Sequence, residues 1–383
     1  MSILRPSSAS VWGVCPGSVL HNALNPAPPI SEEQKSALAE GVAAHTIAEE
    51  LVRCQINRPA KSTYVGRRHE NGVVYTGEMF EAAKLYADDV LAVQRETRIF
   101  GGPNQGIEKT LPARSIGDEC NGTPDYYLYD EEGARLYLWD FKNGRKPVDV
   151  CENPQLIVYA SAVLDDVLGD SYGVMDTKIW VDFRIVQPNA TSDSGVNSWG
   201  VWASDLRAPI NKLKFAAENA LSDDPDIRTG PHCVRCASCG TCSAFLKSAE
   251  NLFAVVTKLY AQTVPAPLET RLDLISMGAD YFNKLKQSVE EEARHRLKTG
   301  GYIPGYTMGY TRPSTVWVPS DEFVLTLGET FGVDLQKEKK PITPKQAIAK
   351  GIPKETIEQY TEKRDGKQKV QKINFKKIRS MLK

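Results

Sequence analysis

Gly122-Thr-Pro-Asp125, followed by a second run ending in Trp139-Asp140-Phe141-Lys142, decides how this chain is read. Cys120–Tyr129 and Arg135–Phe141 are apolar, aromatic-rich runs of β type, and Asp130-Glu-Glu-Gly133 between them is a hairpin signal. Two adjacent antiparallel strands bring both carboxylates, Asp125 and Asp140, and the Lys142 ammonium to one end of a sheet. Hard divalent cations such as Mg²⁺ or Mn²⁺ take oxygen ligands and retain several waters, so a carboxylate pair holds one and leaves room for a substrate phosphate. A cation so held lowers the pKa of a water and polarises the phosphate. A lysine alongside orients the attacking water and stabilises the anionic transition state.

Working outward, Gln105–Leu111 is a third β run, and its Glu108 lies within reach of the same sheet edge. A break at Pro26–Pro29 precedes a helix over Ser31–Arg53. Ser31 is placed to cap it, and Ala37, Ala44, Ile47, Ala48 and Leu51 form its apolar face. Gly41, His45 and Glu49 share another face of that helix, which makes His45 an additional candidate metal ligand. A second helix is expected over Glu78–Arg98 and a third over Asn153–Leu168. On the third, Gln155 and Tyr159 stand at i and i+4 and point an amide and a phenol the same way. Lys178–Gln187 alternates apolar and polar positions as a strand does, with Ser198–Ala203 as its partner and a helix over Asp205–Ala220 beyond. Helices are also expected over Ser248–Ala261 and Leu268–Lys298.

Cys233-x2-Cys236-x2-Cys239-x2-Cys242 is a dense run among eight cysteines. Met1–Leu20 lacks a continuous apolar core, and no apolar stretch reaches the roughly 20 residues of a membrane span. A cytoplasmic location and metal-binding thiols are therefore expected rather than disulfides. Zinc and an iron–sulfur cluster both suit this spacing. Two ligand sets compete: the local four, or Cys233, Cys236 and Cys242 with a distant fourth, for which Cys15 in Trp12-Gly-Val-Cys15-Pro-Gly-Ser18 is the candidate. Cys54, Cys120 and Cys151 read as ordinary small hydrophobes.

The ordered set His45, Asp125, Asp140-Phe141-Lys142 and Gln155-x3-Tyr159 resembles the PD-(D/E)XK nuclease superfamily, most closely its RecB/AddB-type branch, which also carries the G-x3-H and Q-x3-Y helices. The resemblance implies an α/β restriction-endonuclease-like core, a central mixed sheet flanked by helices. It implies Asp125 and Asp140 as ligands of the catalytic metals, with the His45 ring and the Phe141 carbonyl completing the coordination. Lys142 would serve the nucleophilic water, and Gln155 and Tyr159 would contact DNA or orient the site. One cysteine before the core and three after it is similar to the AddB-type iron–sulfur nucleases. That favours a [4Fe–4S] cluster on Cys15, Cys233, Cys236 and Cys242, with Zn²⁺ as the alternative. Cys239 is a departure from the pattern.

Ser8-Ala-Ser-Val-Trp-Gly-Val-Cys-Pro-Gly-Ser18, Glu40-Gly-x3-His45, Ile185-Val-Gln-Pro188, Gly230-Pro-His-Cys233, and Pro304-Gly-Tyr306 followed by Trp317 together resemble a phage-encoded, RecB-like family over nearly the whole chain. That implies a DNA exonuclease of phage recombination or repair in the host cytoplasm. A recombination or single-strand-binding protein is the candidate partner, and no membrane is involved. A non-catalytic DNA-binding or assembly protein on the same fold, or a zinc-bearing DNA-binding protein, is the alternative.

The net charge of −1 conceals an asymmetry. Residues 336–383 carry 15 Lys/Arg and 5 Asp/Glu, a net of +10, so the remainder is acidic. Four regions are expected: 1–247, the nuclease domain closed by the cysteine cluster; 248–300, helical; 301–335, a Gly/Tyr-rich extension; and 336–383, a basic arm. Tyr302, Tyr306 and Tyr310 either stack on unpaired bases or pack a small β-structured extension. The arm either attracts phosphates by counterion release or is a solvated tail, with helical pieces within Ile342–Tyr360 and Ile373–Leu382.

Overall fold

The computed structural model describes residues 3–26, 29–30, 32–55, 57–169, 178–190, 195–260, 267–310, 314–319, 321–337, 340–364 and 368–372. Ser31 and Ile373–Leu382 lie outside the described residues, so the expected cap and the expected last helix do too. The chain divides into two units, residues 1–288 and 289–383.

In the first unit, two short helices, α1 (Ala9–Trp12) and α2 (Ser18–Leu24), precede the long α3 (Glu32–Arg53). The one-turn α4 (Lys61–Tyr64) and α5 (Gly77–Thr97) follow; the Thr76 hydroxyl caps α5 by accepting from the Met79 amide at 3.2 Å. The strands are β1 (Gln105–Ile107), β2 (Leu111–Pro112), β3 (Asn121–Gly122), β4 (Tyr126–Asp130) and β5 (Arg135–Phe141). Helix α6 (Pro154–Leu168), capped by Asn153 with proline at its first turn, leads to β6 (Trp180–Val186), β7 (Val196–Trp202) and α7 (Arg207–Ala220). Then come α8 (Ser243–Tyr260), starting five residues earlier than expected, and α9 (Leu268–Lys298), whose residues beyond 288 belong to the second unit.

Five strands form one mixed sheet in the order β1-β4-β5-β6-β7. The β4–β5 hairpin is antiparallel, with Asp130 opposite Arg135 and Gly133 N donating to the Asp130 carboxylate at 3.0 Å. β5 and β6 run parallel, as a helical crossover through α6 requires, and β6–β7 is antiparallel. Two runs that read as continuous strands are each split. Glu108, with φ of 50°, ends β1 before β2, and Pro124 separates β3 from β4. β2 and β3 pair with each other outside the main sheet.

The sheet is covered on both faces, and strand alternation sorts the core. Leu136 and Leu138 of β5 face one cluster with Leu156, Val163 and Ile210 of α6 and α7. Tyr137, Trp139 and Phe141 face the other with Ile47, Leu51, Ala83 and Val90 of α3 and α5. A third cluster gathers Val11, Phe245, Leu252 and Tyr281 around Cys233, Cys236 and Cys239.

The second unit pairs β8 (Tyr306–Tyr310) with β13 (Gln368–Lys372) and β9 (Ser314–Trp317) with β12 (Thr361–Arg364), alongside the small β10 (Gln336–Lys337) and β11 (Lys340–Pro341). Helices α10 (Asp321–Thr330), α11 (Pro344–Ala349) and α12 (Lys354–Gln359) complete it. Val324, Leu335, Ile342, Ala347, Ile352 and Ile357 form its buried core. This corrects the division at 335/336. Among the described residues, 301–335 and 336–372 share strand pairs and one core, so the described part of the basic stretch is folded rather than a free arm. Net positive charge suggested an arm because the apolar residues that anchor it are sparse and spaced between lysines.

Candidate active site

Alternation along β5 puts Asp140 on the α6 side and Phe141 on the α3 side, and the site is assembled from both. Asp140 is 2% exposed. Its carboxylate accepts from Lys142 Nζ at 2.9 Å and from Gln155 Nε2 at 3.2 Å. Gln155 Nε2 also donates to the Tyr159 hydroxyl at 2.9 Å. The i, i+4 pair on α6 thus touches itself and the acidic residue together. Gly122 permits this approach, because a Cβ there would stand 3.0 Å from Tyr159 Cδ1 and 3.5 Å from Ala162 Cβ.

From the opposite face, the His45 ring packs on Phe141 at 5.2 Å between centroids. His45 Nδ1 lies 3.5 Å from Asp125 Oδ1 and 3.7 Å from Glu108 Oε1. The other Asp125 oxygen accepts the Phe141 amide at 2.5 Å, tying the end of β5 to the residue before β4. His45, Glu108 and Asp125 each offer a ligand atom, all within 4.8 Å of one another. An octahedral cation with bonds of about 2.1 Å places neighbouring ligands roughly 3 Å and opposite ones roughly 4.2 Å apart, so the trio would draw together by about 0.5 Å or more to share one ion. Glu108 holds its place in the left-handed region, a cost of about 1–3 kcal/mol for a non-glycine residue. Its amide donates to the Asp125 carbonyl at 3.1 Å.

The electrostatics suit a cation. Burial raises the Asp125 carboxyl to about 7; His45 and Lys142 oppose this, and the neighbouring Asp140 and Glu108 add to it. Burial disfavours the protonated forms of His45 and Lys142, but the surrounding carboxylates outweigh it and both pKa values are raised. Burial likewise raises the Tyr159 phenol. Three acidic groups and one imidazole in so small a volume leave a demand for positive charge that Lys142 meets only in part.

Among the residues expected from the sequence, His45, Asp125, Asp140, Phe141, Lys142, Gln155 and Tyr159 all meet here. Glu49, on the same face as His45 by spacing, instead pairs with Arg53 at 2.8 Å. Glu108 earns a larger place than its sequence suggested, since only the left-handed kink turns it toward Asp125.

The cysteines gather elsewhere in the first unit. Cys15, Cys233, Cys236, Cys239 and Cys242 line one cavity with Val11, Gly17, His21, His232 and Phe245. All eight cysteines are free thiols. The Arg228 amide donates to Cys15 Sγ at 3.3 Å and the Gly230 amide to Cys233 Sγ at 3.4 Å. Asn22 accepts from the Cys236 thiol at 3.5 Å and from the Ser238 hydroxyl. Burial raises the Cys233 thiol to about 11, with the Cys15, Cys236 and Cys242 thiols adding to it. Burial also raises Cys239, which faces Ser288 and Lys284 of α9. Cys15 is brought here by Gly17, whose amide donates to the Asp226 carbonyl at 2.8 Å, where a Cβ would lie 2.6 Å from Ile227 Cγ1. Cys120 is fully buried, whereas Cys54 and Cys151 are exposed and do not serve as core hydrophobes. Among the described residues, no helix is long and apolar enough to cross a membrane.

The family described as a protein of unknown function, DUF2800, matches residues 1–376, and the chain belongs to that family.

Proposed function

We propose that this DUF2800 member is a Mg²⁺- or Mn²⁺-dependent DNA exonuclease of the PD-(D/E)XK type, of the kind used in phage recombination or repair in the host cytoplasm. One observation carries this reading: His45, Glu108 and Asp125 converge from one face of the sheet, and Asp140, Lys142, Gln155 and Tyr159 from the other, at a single sheet end.

His45, Glu108, Asp125 and Asp140 would hold the cation, with the Phe141 carbonyl alongside. Once bound, it would lower the pKa of a water and offset charge on the phosphate. Lys142 already stands on the Asp140 carboxylate, from which its ammonium can hold the attacking water and meet the developing negative charge. Gln155 fixes Asp140 and positions the Tyr159 hydroxyl for the DNA backbone.

In the same reading, the cysteine pocket would hold a resident cluster. Cys15, Cys233, Cys236 and Cys242 would ligate a [4Fe–4S] cluster, and the amides of Arg228 and Gly230 would stabilise the thiolate sulfurs. Burial raises the Cys233 and Cys236 thiols, and a metal charge beside them would favour their thiolates. A bound cluster would join residue 15 to residues 233–242 and so close the chain around the site.

The test compares wild type with Asp140→Ala on end-labelled linear DNA and on closed circular DNA, with Mg²⁺ or Mn²⁺. Degradation of the linear form alone, lost in the variant, is expected. Absence of metal-dependent cleavage of any DNA by wild type overturns the reading. A brown preparation absorbing near ~400 nm identifies iron–sulfur, and a colourless one containing zinc overturns that assignment.

A further inference from the structure

Between Lys142 and the cap of α6 runs the segment Asn143-Gly-Arg145-Lys146-Pro147-Val148, and it is strapped down rather than loose. Gln187 is 1% exposed, and its whole amide is committed to this segment. Gln187 Nε2 donates to the carbonyls of Gly144 and Lys146, each at 2.8 Å, and its Oε1 accepts the Val148 amide at 3.0 Å. Asn189 Nδ2 donates to the carbonyl and side chain of Asn143, each at 3.1 Å. The Lys142 amide itself donates to the Val186 carbonyl at 2.9 Å. The Ile185-Val-Gln-Pro188 motif therefore acts as an anchor for this loop, a role its sequence does not reveal.

What the anchor presents is positive charge. Arg145 and Lys146 are exposed, and among the described residues neither is engaged in a hydrogen bond or ion pair through its side chain. The acidic residues of the connection, Asp149 and Glu152, are also exposed and lie beyond the strapped turn, Asp149 accepting the Cys151 amide at 3.0 Å. Both ends of the loop are fixed at the candidate site, because Lys142 and Gln155 each bond Asp140. Arg145 is three residues from Lys142, so its Cα lies at most roughly 10 Å away. A DNA strand advances about 3.4 Å per phosphate along a duplex axis, so a phosphate within roughly three nucleotides of the reacting one would be in reach of this turn. The buried Gln187 amide thus makes all of its hydrogen bonds to the 143–148 turn, whose charged side chains are Arg145 and Lys146.

We propose that Arg145 and Lys146 form a backbone-phosphate clamp beside the active site, and that Gln187 is its positioning residue. The clamp rests on the nuclease reading for its substrate class. The clamp contacts phosphate, not bases, so it adds affinity and register without sequence preference.

The experiment uses the full chain with a fluorescein-labelled oligonucleotide. Anisotropy with Ca²⁺ in place of Mg²⁺ gives the salt dependence of binding, and cleavage with Mg²⁺ gives kcat and KM. Arg145→Gln with Lys146→Gln is expected to lower the slope of log affinity against log salt by about 1.4–1.8. It is also expected to raise KM about tenfold with kcat within about twofold. Gln187→Ala should reproduce the KM defect, and adding it to the double variant should cost little more, because both act through one loop. If wild type cleaves DNA while the double variant keeps its KM and salt slope, the clamp is overturned and the nuclease reading stands. If binding depends on Arg145 and Lys146 but no metal supports cleavage, the clamp stands and the nuclease reading falls. If wild type neither binds nor cleaves, both fall.

Discussion

Asp125 and Asp140 are close in sequence type and different in situation. Asp140 is bonded by Lys142 and Gln155, whereas Asp125 faces His45 and Glu108 with one oxygen and the Phe141 amide with the other. Two predictions belong at this scale. Lys142→Ala should cost about 100- to 1000-fold in kcat while leaving DNA affinity nearly unchanged, measured by single-turnover cleavage and by anisotropy. The second concerns pH. A carboxyl raised by burial from about 3.9 to about 7 favours the folded state fully below its unfolded value, and that contribution is lost as pH climbs to about 7. The melting temperature of metal-free wild type should therefore fall between about pH 4 and 7, with a shallower fall in Asp125→Asn. Added Mn²⁺ should raise the wild-type value more at pH 8 than at pH 5, because only the ionised carboxylate binds it.

At the scale of elements, the close contact between α6 and β3 sets how near Gln155 and Tyr159 come to Asp140. Gly122→Ala places a methyl group 3.0 Å from the Tyr159 ring, tighter than normal packing. The helix or the ring must shift, and overpacking of this kind typically costs about 1–3 kcal/mol. Urea denaturation should show that loss, and kcat should fall with it because the Gln155–Asp140 bond lengthens. Gly122→Val should be worse on both counts. The left-handed kink at Glu108 belongs here as well, since it ends β1 and turns a carboxylate toward the site.

At the scale of the whole molecule, the basic second unit and the cysteine pocket each carry a prediction of their own. Cutting the chain near Leu335 would remove Ile342, Ala347, Ile352 and Ile357 from the core of the second unit and the partners of β8 and β9. Neutralising charge is the cleaner test of the basic stretch. Converting exposed Lys345 and Lys354 to Gln should lower the salt slope of DNA binding by roughly 1.4–1.8 if each meets a phosphate, with nearly unchanged melting and unchanged kcat. Cys15→Ser should lower the melting temperature of the metal-loaded protein and its iron content together, because residue 15 closes the longest loop onto the 233–242 segment.

The sequence by itself determined the order of helices and strands in the first unit and nearly every side chain of the candidate site. Period-two and helical patterns are local, and a carboxylate at the end of an apolar strand is legible because so few apolar runs end in charge. Its spacing also determined that Gln155 and Tyr159 would share a helix face. Tertiary structure alone decided the rest. Which sheet face each site residue approaches from depends on the parallel β5–β6 pairing, and Glu108 joins the site through a backbone turn that no residue type announces. Gln187 looked like the end of a strand until its three hydrogen bonds showed it holding a loop on a neighbouring connection. The basic stretch read as an arm because its charge is contiguous in sequence, while the contacts that fold it lie between residues tens of positions apart. Long-range pairing, not local pattern, carries that information.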